Sequence, residues 1–443
     1  MAGKTCVVVG IHFGVIETRV SWLTYGNNAI EHELSHIIGW PCAEAGSMNR
    51  MRCMVPSRIS YDPEGNVTWG YDTPRDAQVI EHLPLLLYSR LHIPPDRDYT
   101  SHYDDASRIC TTRRKDPYDV IVDYLHCVYS HAYQHIENQL THDQFVKMPI
   151  HVVITTQGAW STAAVPKLTS FVEHSEIAGH RQAGKTTFSI IPEMCAISIG
   201  TFLGPLRLDT VDMGDTFTVL SVDATTTNIV TYKVVEGMNP SMNLLILSDK
   251  TELFGPSILR KEFEARMQKK FSGNRFDTVS REGRDQMIDA WDTGMRTSGS
   301  TRTHYEELRI EVKTVPRKSN KCMTKAEIHE ICNLITPQIC SLVSAHVTDV
   351  HQTHSAVPKC LVVAGEVFAN PYISVPIQET WQSLGGLITN TVLKAGGPKP
   401  EHGTTPTWLS IANCAALAGV VHLQLGRDVA IAPLVNRPIY MYP

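Results

Sequence analysis

A histidine and an aspartate stand at similar places in two similar stretches of this chain. His12 lies within residues 6–25 and Asp223 within residues 217–235, and laying one stretch over the other gives an offset of 211 residues (223 − 12). A histidine opposite an aspartate is suited to acid–base chemistry, because burial and mutual charge tune both groups toward neutral pH. Glu17 and Glu366 are two further carboxylates that would donate or accept a proton beside them. A plainer role exists for each group: His12 fills space and bonds locally, and Asp223 caps a turn through nearby backbone amides. Glu193 is read as a helix-start residue complementing the helix dipole.

The elements that must hold these groups are hairpins. Phe217–Val222 and Ile229–Val235 are β-branched apolar runs around a small polar turn, and Cys6–Phe13 with the run up to Tyr25 repeats the design. Two such hairpins half a chain apart predict a duplicated α/β unit whose turns face a shared cleft. Between them, residues 29–61 read as irregular, 62–71 as a turn between short strands, and 92–115 as a polar surface loop. Apolar spacing predicts a helix over 116–140, started by Asp116-Pro117. His131 and His135 on it are an i, i+4 pair, but no acidic or cysteine ligand accompanies them. Strands follow at 151–156 and 187–191, each leading into a helix, the first carrying Phe171, Val172 and Ile177.

Residues 182–187 (Gln-Ala-Gly-Lys-Thr-Thr) imitate a phosphate loop but lack its first glycine and precede a strand. Helices are expected over 253–271 and 323–345, the latter from a Thr324/Glu327 capping box. A polar excursion is expected over 272–303, a strand over 360–364, a loop over 396–406 and an alanine-rich helix over 406–419.

The 443 residues suffice for two or three domains. Charged residues make up 19%, the hydrophobic set 42%, and the net charge is −5. That balance offers no basic surface for nucleic acid or acidic membranes. Neither a signal peptide nor a run of about 20 apolar residues is read in the sequence. The eleven cysteines include no C-x-x-C pair, which points away from a zinc site or disulfide framework and toward the cytoplasm.

Several fragments, in order, resemble the nucleotide-binding domain of the seventy-kilodalton heat-shock protein family, in its divergent fungal-type branch. They are Gly10-Ile-His-Phe-Gly14, Val153–Ser161, Pro192–Ile197, the Asp223 turn and Val362–Tyr372. The resemblance implies an actin-like ATPase fold: two lobes, each built on a duplicated ribonuclease-H-like α/β unit, around a central cleft. The expected boundaries are 1–205 and 206–420, with 421–443 packing back on the first lobe.

The departures from the family pattern bear on function. His12 stands where the family has the aspartate that orders metal-bound water, and Val15 and Ile16 replace its small hydroxyl residues. Thr225, Thr226 and Thr227 replace the glycines of the second phosphate turn, losing the close backbone approach that phosphate needs. The family's Glu-Pro pair is Ile191-Pro192, and its Gly-Gly pair is Ala364-Gly365, followed by Glu366. Phosphoryl transfer depends on such positioned charge, so these losses argue against an ATPase. The sequence also reads as stopping where the family continues into a peptide-binding domain.

The expectation is a cleft given over to a small, largely apolar metabolite, with acid–base-assisted cyclisation, rearrangement or isomerisation. Its catalytic candidates are His12, Asp223, Glu17 and Glu366, and its ligand-binding candidates are Phe13, Val15, Ile16, Thr225, Thr226, Thr227, Asn228 and Gly365. Neither cofactor nor metal is expected. The alternatives are an inactive nucleotide-binding sensor and a scaffold acting through protein partners.

Overall fold

The computed structural model describes residues 5–27, 29–42, 53–74, 77–90, 97–156, 161–175, 177–203, 211–236, 243–271, 287–288, 290–292, 294–295, 307–313, 318–384, 392–394 and 410–425. The fold is mixed α/β. It divides into two compact units, residues 1–208 with 409–431, and residues 209–408 with 432–443. Among the described residues no helix is long and apolar enough to cross a membrane.

The first unit is built on strands β1 (Cys6–Phe13), β2 (Glu17–Gly26) and β3 (Ala29–His36), helices α1 (Arg97–Arg113) and α2 (Pro117–Leu140), strand β4 (Ile150–Thr156), helix α3 (Ser161–His174), strand β5 (Thr187–Pro192) and helix α4 (Glu193–Leu203). Its sheet runs β5-β4-β1-β2-β3. Strands β1 to β3 form an antiparallel meander, and β1, β4 and β5 run parallel. Every residue of β1 and of β4 is buried, as expected of strands covered on both faces. Pro192 is tolerated because β5 is an edge strand, whose outward N–H has no ladder partner to lose.

A closing helix, Ile411–Leu425, belongs to this first unit, although the sequence places it in the second lobe. Small residues explain its seat. A Cβ on Gly10 would stand 2.2 Å from the Ala412 carbonyl oxygen and 2.4 Å from the Ala416 nitrogen, so helix backbone lies directly on β1. Gly200 of α4 makes the same allowance for Cys414.

The second unit repeats the plan with β6 (Thr216–Val222), β7 (Thr227–Glu236), β8 (Asn243–Glu252), helices α5 (Ser257–Lys270), α6 (Lys325–Cys332) and α7 (Thr336–His354), strand β9 (Leu361–Ala364), helix α8 (Pro371–Ser383) and strand β10 (Val392–Lys394). Its sheet order is β8-β7-β6-β9-β10, with the same directions as in the first unit. Backbone pairing relates the two hairpins by 209 residues rather than 211. The last antiparallel pairs are Phe13↔Thr18 and Val222↔Thr227, and the last parallel pairs are His12↔Thr155 and Ser221↔Ala364, so both offsets agree (222 − 13 and 221 − 12). His12 therefore lies inside its strand, whereas Asp223 stands one residue beyond its own.

Other local expectations need correction. Residues 29–36 form the polar edge strand β3, whose charged side chains suit an exposed sheet edge. Residues 97–113 form α1, in which Ala106 and Cys110, one turn apart, are buried. Ile177 lies beyond the end of α3. The single helix expected over 323–345 is two, separated at 333–335, because Pro337 has no N–H to donate and its ring crowds the preceding turn. Within the expected polar excursion, Met287, Trp291 and Met295 are buried in the second unit's core. The closing helix begins later than expected, at Ile411, and the expected loop, residues 396–406, lies outside the described residues, after β10. The Asp116 and Thr324/Glu327 caps form as expected.

Inside the second unit, His346 of α7 is fully buried, and its Nε2 lies 2.9 Å from the Thr231 hydroxyl, which pairs with that of Thr218 at 2.8 Å. Burial, reinforced by Lys250 and opposed by Asp349, pushes its pKa down to about 4. Unfolded, it would titrate near 6.5, so its neutral form stabilises the fold above that pH and this contribution is lost as pH falls toward 4. Denaturant unfolding from pH 7.5 to pH 4 should show an acid loss of which about 3 kcal/mol disappears in His346→Gln.

Candidate functional site

The carboxyl ends of β1, β4 and β5 carry the polar groups of the first unit. His12 is the penultimate residue of β1 and faces the closing helix, because Gly10, two residues earlier on the same side of the strand, meets that helix. Glu193 follows β5 without a connecting loop and opens α4, where the positive end of the helix dipole complements a carboxylate. His12 Nε2 lies 3.1 Å from Glu193 Oε1, with both residues at most 3% exposed. Glu193 thus does more than complete its helix: it is the acceptor that orients the imidazole.

Thr155 is the parallel neighbour of both His12 and Ile191, so its side chain shares their face of the sheet. Thr156 points to the opposite face. Both hydroxyls are buried and neither has a hydrogen-bond partner. Tyr88, buried at the end of a short 3-10 turn (Leu83–Leu87), is coupled to the same carboxylate. Burial first, and then the Glu193 charge, hold its phenol protonated well above the usual range.

The β1–β2 turn beneath His12 is tied down by hydroxyls. Ser57 Oγ donates to the Gly14 carbonyl at 2.7 Å and lies 2.9 Å from Thr18 Oγ1, to which the Tyr124 hydroxyl donates at 2.9 Å. The Ser57 amide donates to the Ile16 carbonyl at 3.0 Å. A Cβ on Gly14 would stand 3.0 Å from the His12 ring, so a side chain there would press on the imidazole.

The remaining sequence candidates fall as follows. Glu17 opens β2 and accepts from Arg19 Nε at 2.9 Å. The Phe13 ring stacks on Tyr124 with centroids 5.8 Å apart, on the sheet face opposite His12. Val15 is buried and Ile16 half-buried in the turn.

Asp223 belongs to the second unit, half-buried, with its amide donating to the Thr226 carbonyl at 2.9 Å. Thr225 and Thr226 complete that turn. The Thr227 hydroxyl donates to the Phe254 carbonyl at 2.9 Å, and Asn228 accepts from Thr251 at 2.7 Å and donates to Thr226 at 3.4 Å. Those side chains are spent on the fold. Gly365, at φ +126°, lets the β9 end pass the Val222 carbonyl, which a Cβ would meet at 2.4 Å. The side chain of Glu366 lies outside the described residues.

The α2 histidines are engaged structurally: His126 Nδ1 with the Ser175 carbonyl at 3.1 Å and His131 Nε2 with the Ile38 carbonyl at 3.2 Å. Sequence reasoning missed the partnership of Glu193 with His12, and missed Thr155 and Tyr88. The one available signal was a pair of threonines ending the otherwise apolar run of β4.

No family model matches this chain, and no curated protein matches it.

Ser57→Ala should remove both hydroxyl contacts of the first turn. A loss of about 1–2 kcal/mol in unfolding free energy is expected, with faster amide exchange confined to residues 14–18.

Proposed function

We propose that the first unit's strand-end site binds a small, largely apolar organic molecule and moves a proton on it, with His12 as the proton carrier and Glu193 as the group that orients it. The observation that carries this reading is the buried His12–Glu193 hydrogen bond beside hydroxyls that lack partners. A histidine held by a carboxylate in a buried setting is a common acid–base device, contributing about 100- to 10,000-fold. The reaction class is isomerisation, rearrangement or cyclisation, which needs proton movement and no phosphate chemistry.

The fold we propose is the actin-like ATPase architecture of two ribonuclease-H-like units, in a divergent heat-shock-protein-like chain. The strand order repeated in both sheets, with a meander followed by two parallel strands, supports it. Fold by itself does not assign an activity. Against an ATPase stand His12 in place of a carboxylate and the Thr225–Thr227 run, whose Thr227 side chain is committed to Phe254. The second reading, an inactive nucleotide sensor, is favoured by one observation: Gly365 keeps the close backbone passage at the end of β9.

Calorimetry and phosphate release separate the two. ATP with magnesium should show neither micromolar affinity nor steady hydrolysis; either result, the hydrolysis being abolished by Asp223→Ala, overturns the proposal in favour of nucleotide. Mass spectrometry of the compound that co-purifies with the protein identifies the ligand. Its turnover should fall about 100-fold or more in His12→Ala, at near-normal thermal stability.

A further inference from the structure

Two buried hydroxyls of the strands stand without a partner on the sheet face that carries His12: that of Tyr25, on β2 opposite Cys6 and so six residues back along β1, and that of Thr155, beside His12 itself. Thr155 is 1% exposed, and its Oγ1 makes no hydrogen bond. Thr18, Thr218 and Thr227 on other strands are satisfied, by Ser57 and Tyr124, by Thr231 and by Phe254, whereas Thr156, on the opposite face, shares the lack. Leaving a hydroxyl buried and unpaired is unfavourable, and such groups in a native fold call for an explanation. Parallel pairing sets Thr155 beside His12, one strand spacing of about 5 Å away. Two residues earlier, Gly10 and Val153 both approach the closing helix, which places His12 and Thr155 on that same face. Both stand at the carboxyl ends of parallel strands, the edge at which α/β sheets bind ligands.

The ionisable groups at this edge already have hydrogen-bond partners. Glu193 is hydrogen-bonded by His12, and Arg19, opposite His12 on β2, is taken up by Glu17. A phosphate or carboxylate ligand would meet a buried Glu193 without a cation of its own, which desolvation disfavours. A neutral ligand with one acceptor oxygen suits the site.

We infer that Thr155 is the ligand-orienting residue of the acid–base site proposed above, its O–H donating to the carbonyl oxygen of a neutral, enolisable ketone. The inference rests on the reading of His12 as the proton carrier. The C–H bond beside the carbonyl breaks, its proton passes to the imidazole, and the electron pair moves onto the carbonyl oxygen. The Thr155 O–H stabilises that enolate oxygen, as an oxyanion-hole donor does. Returning the proton to a different carbon gives an isomer. Attack of the enolate carbon on an electrophilic carbon of the same molecule, followed by proton return, closes a ring. Neither course consumes a co-reactant.

The probe is 2-tetralone, a neutral apolar ketone whose C1 proton is exchangeable, incubated with the full chain in heavy water. Deuterium uptake at C1 is followed by NMR, and thermal unfolding is recorded for each variant. The wild type should exchange with saturation. His12→Ala should be slower by about 100-fold. Thr155→Val, which keeps the shape and removes the hydroxyl, should lower the saturated rate by about 100-fold with no loss of thermal stability. Thr155→Ser, which restores the hydroxyl, should stay within about fivefold of wild type on the same hydrogen-bond argument.

Wild-type speed in Thr155→Val, with His12→Ala slow, overturns the role of Thr155 alone and leaves the hydroxyl to a water. A Thr155→Val rate that falls only with its folded fraction overturns it equally. Wild-type exchange no faster than buffer overturns the acid–base reading itself, and this inference with it.

Discussion

The closing helix lies with its backbone against β1 at Gly10, and the first unit is arranged around that contact. Only a residue without a Cβ permits an approach in which the Ala412 oxygen and the Ala416 nitrogen would stand 2.2 and 2.4 Å from one. Gly200 and Gly419 extend the fit, toward Cys414 and toward Val8 and Val153. A helix seated this closely excludes water from one face of the sheet along the central strands. Residues 412–421 of the helix are accordingly buried all round. That dry face is where β1 and β4 end in His12 and Thr155, so the packing that makes the unit stable also gives the site its low dielectric. Hydrogen bonds and charges there count for more than they would in water.

Several buried polar groups inside both units are compensated by hydrogen bonds. In the second unit, Thr218, Thr231 and His346 form a hydrogen-bonded chain between sheet and helix. In the first, His151 of β4 is fully buried, bonds the Thr187 hydroxyl at 2.9 Å and stacks on His422 of the closing helix at 4.2 Å. Burial, with His422 adding to it, lowers its pKa to about 3 and keeps it neutral. The uncompensated hydroxyls of Thr155 and Thr156 at the end of β4 contrast with these.

The two hairpin turns have been shaped by different constraints. The first is pinned by Ser57 from both sides and leaves the His12 ring directly beneath Gly14. The second, of the same length, closes from the Asp223 amide to the Thr226 carbonyl and is enclosed by Gly255 and Gly365. Thr227 bonds the Phe254 carbonyl in the segment before α5, and Asn228 bonds Thr251 of β8 and Thr226. β-Branched side chains restrict the backbone and occupy the volume that a phosphate would need. The threonines therefore favour this turn's geometry.

Much of this fold is written locally in the chain. The paired hairpins, the strands at 150–156, 187–192 and 361–364, the Asp116 cap and the Thr324/Glu327 box follow from alternation, β-branching and capping chemistry, which act between near neighbours. His12 was recognisable as a candidate because it falls opposite Asp223 when the two similar stretches are laid over each other. Local patterns misjudged β3 and α1, whose polar residues are anchored by a sheet edge and by Ala106 and Cys110. Tertiary structure alone decided that the closing helix serves the first unit, because its alanines fit any close-packed surface and only Gly10 selects this one. It alone brought Glu193 to His12 across 181 residues of sequence. That contact arises from the parallel order of β1, β4 and β5, and a pairing of distant strands leaves no periodic trace in either segment.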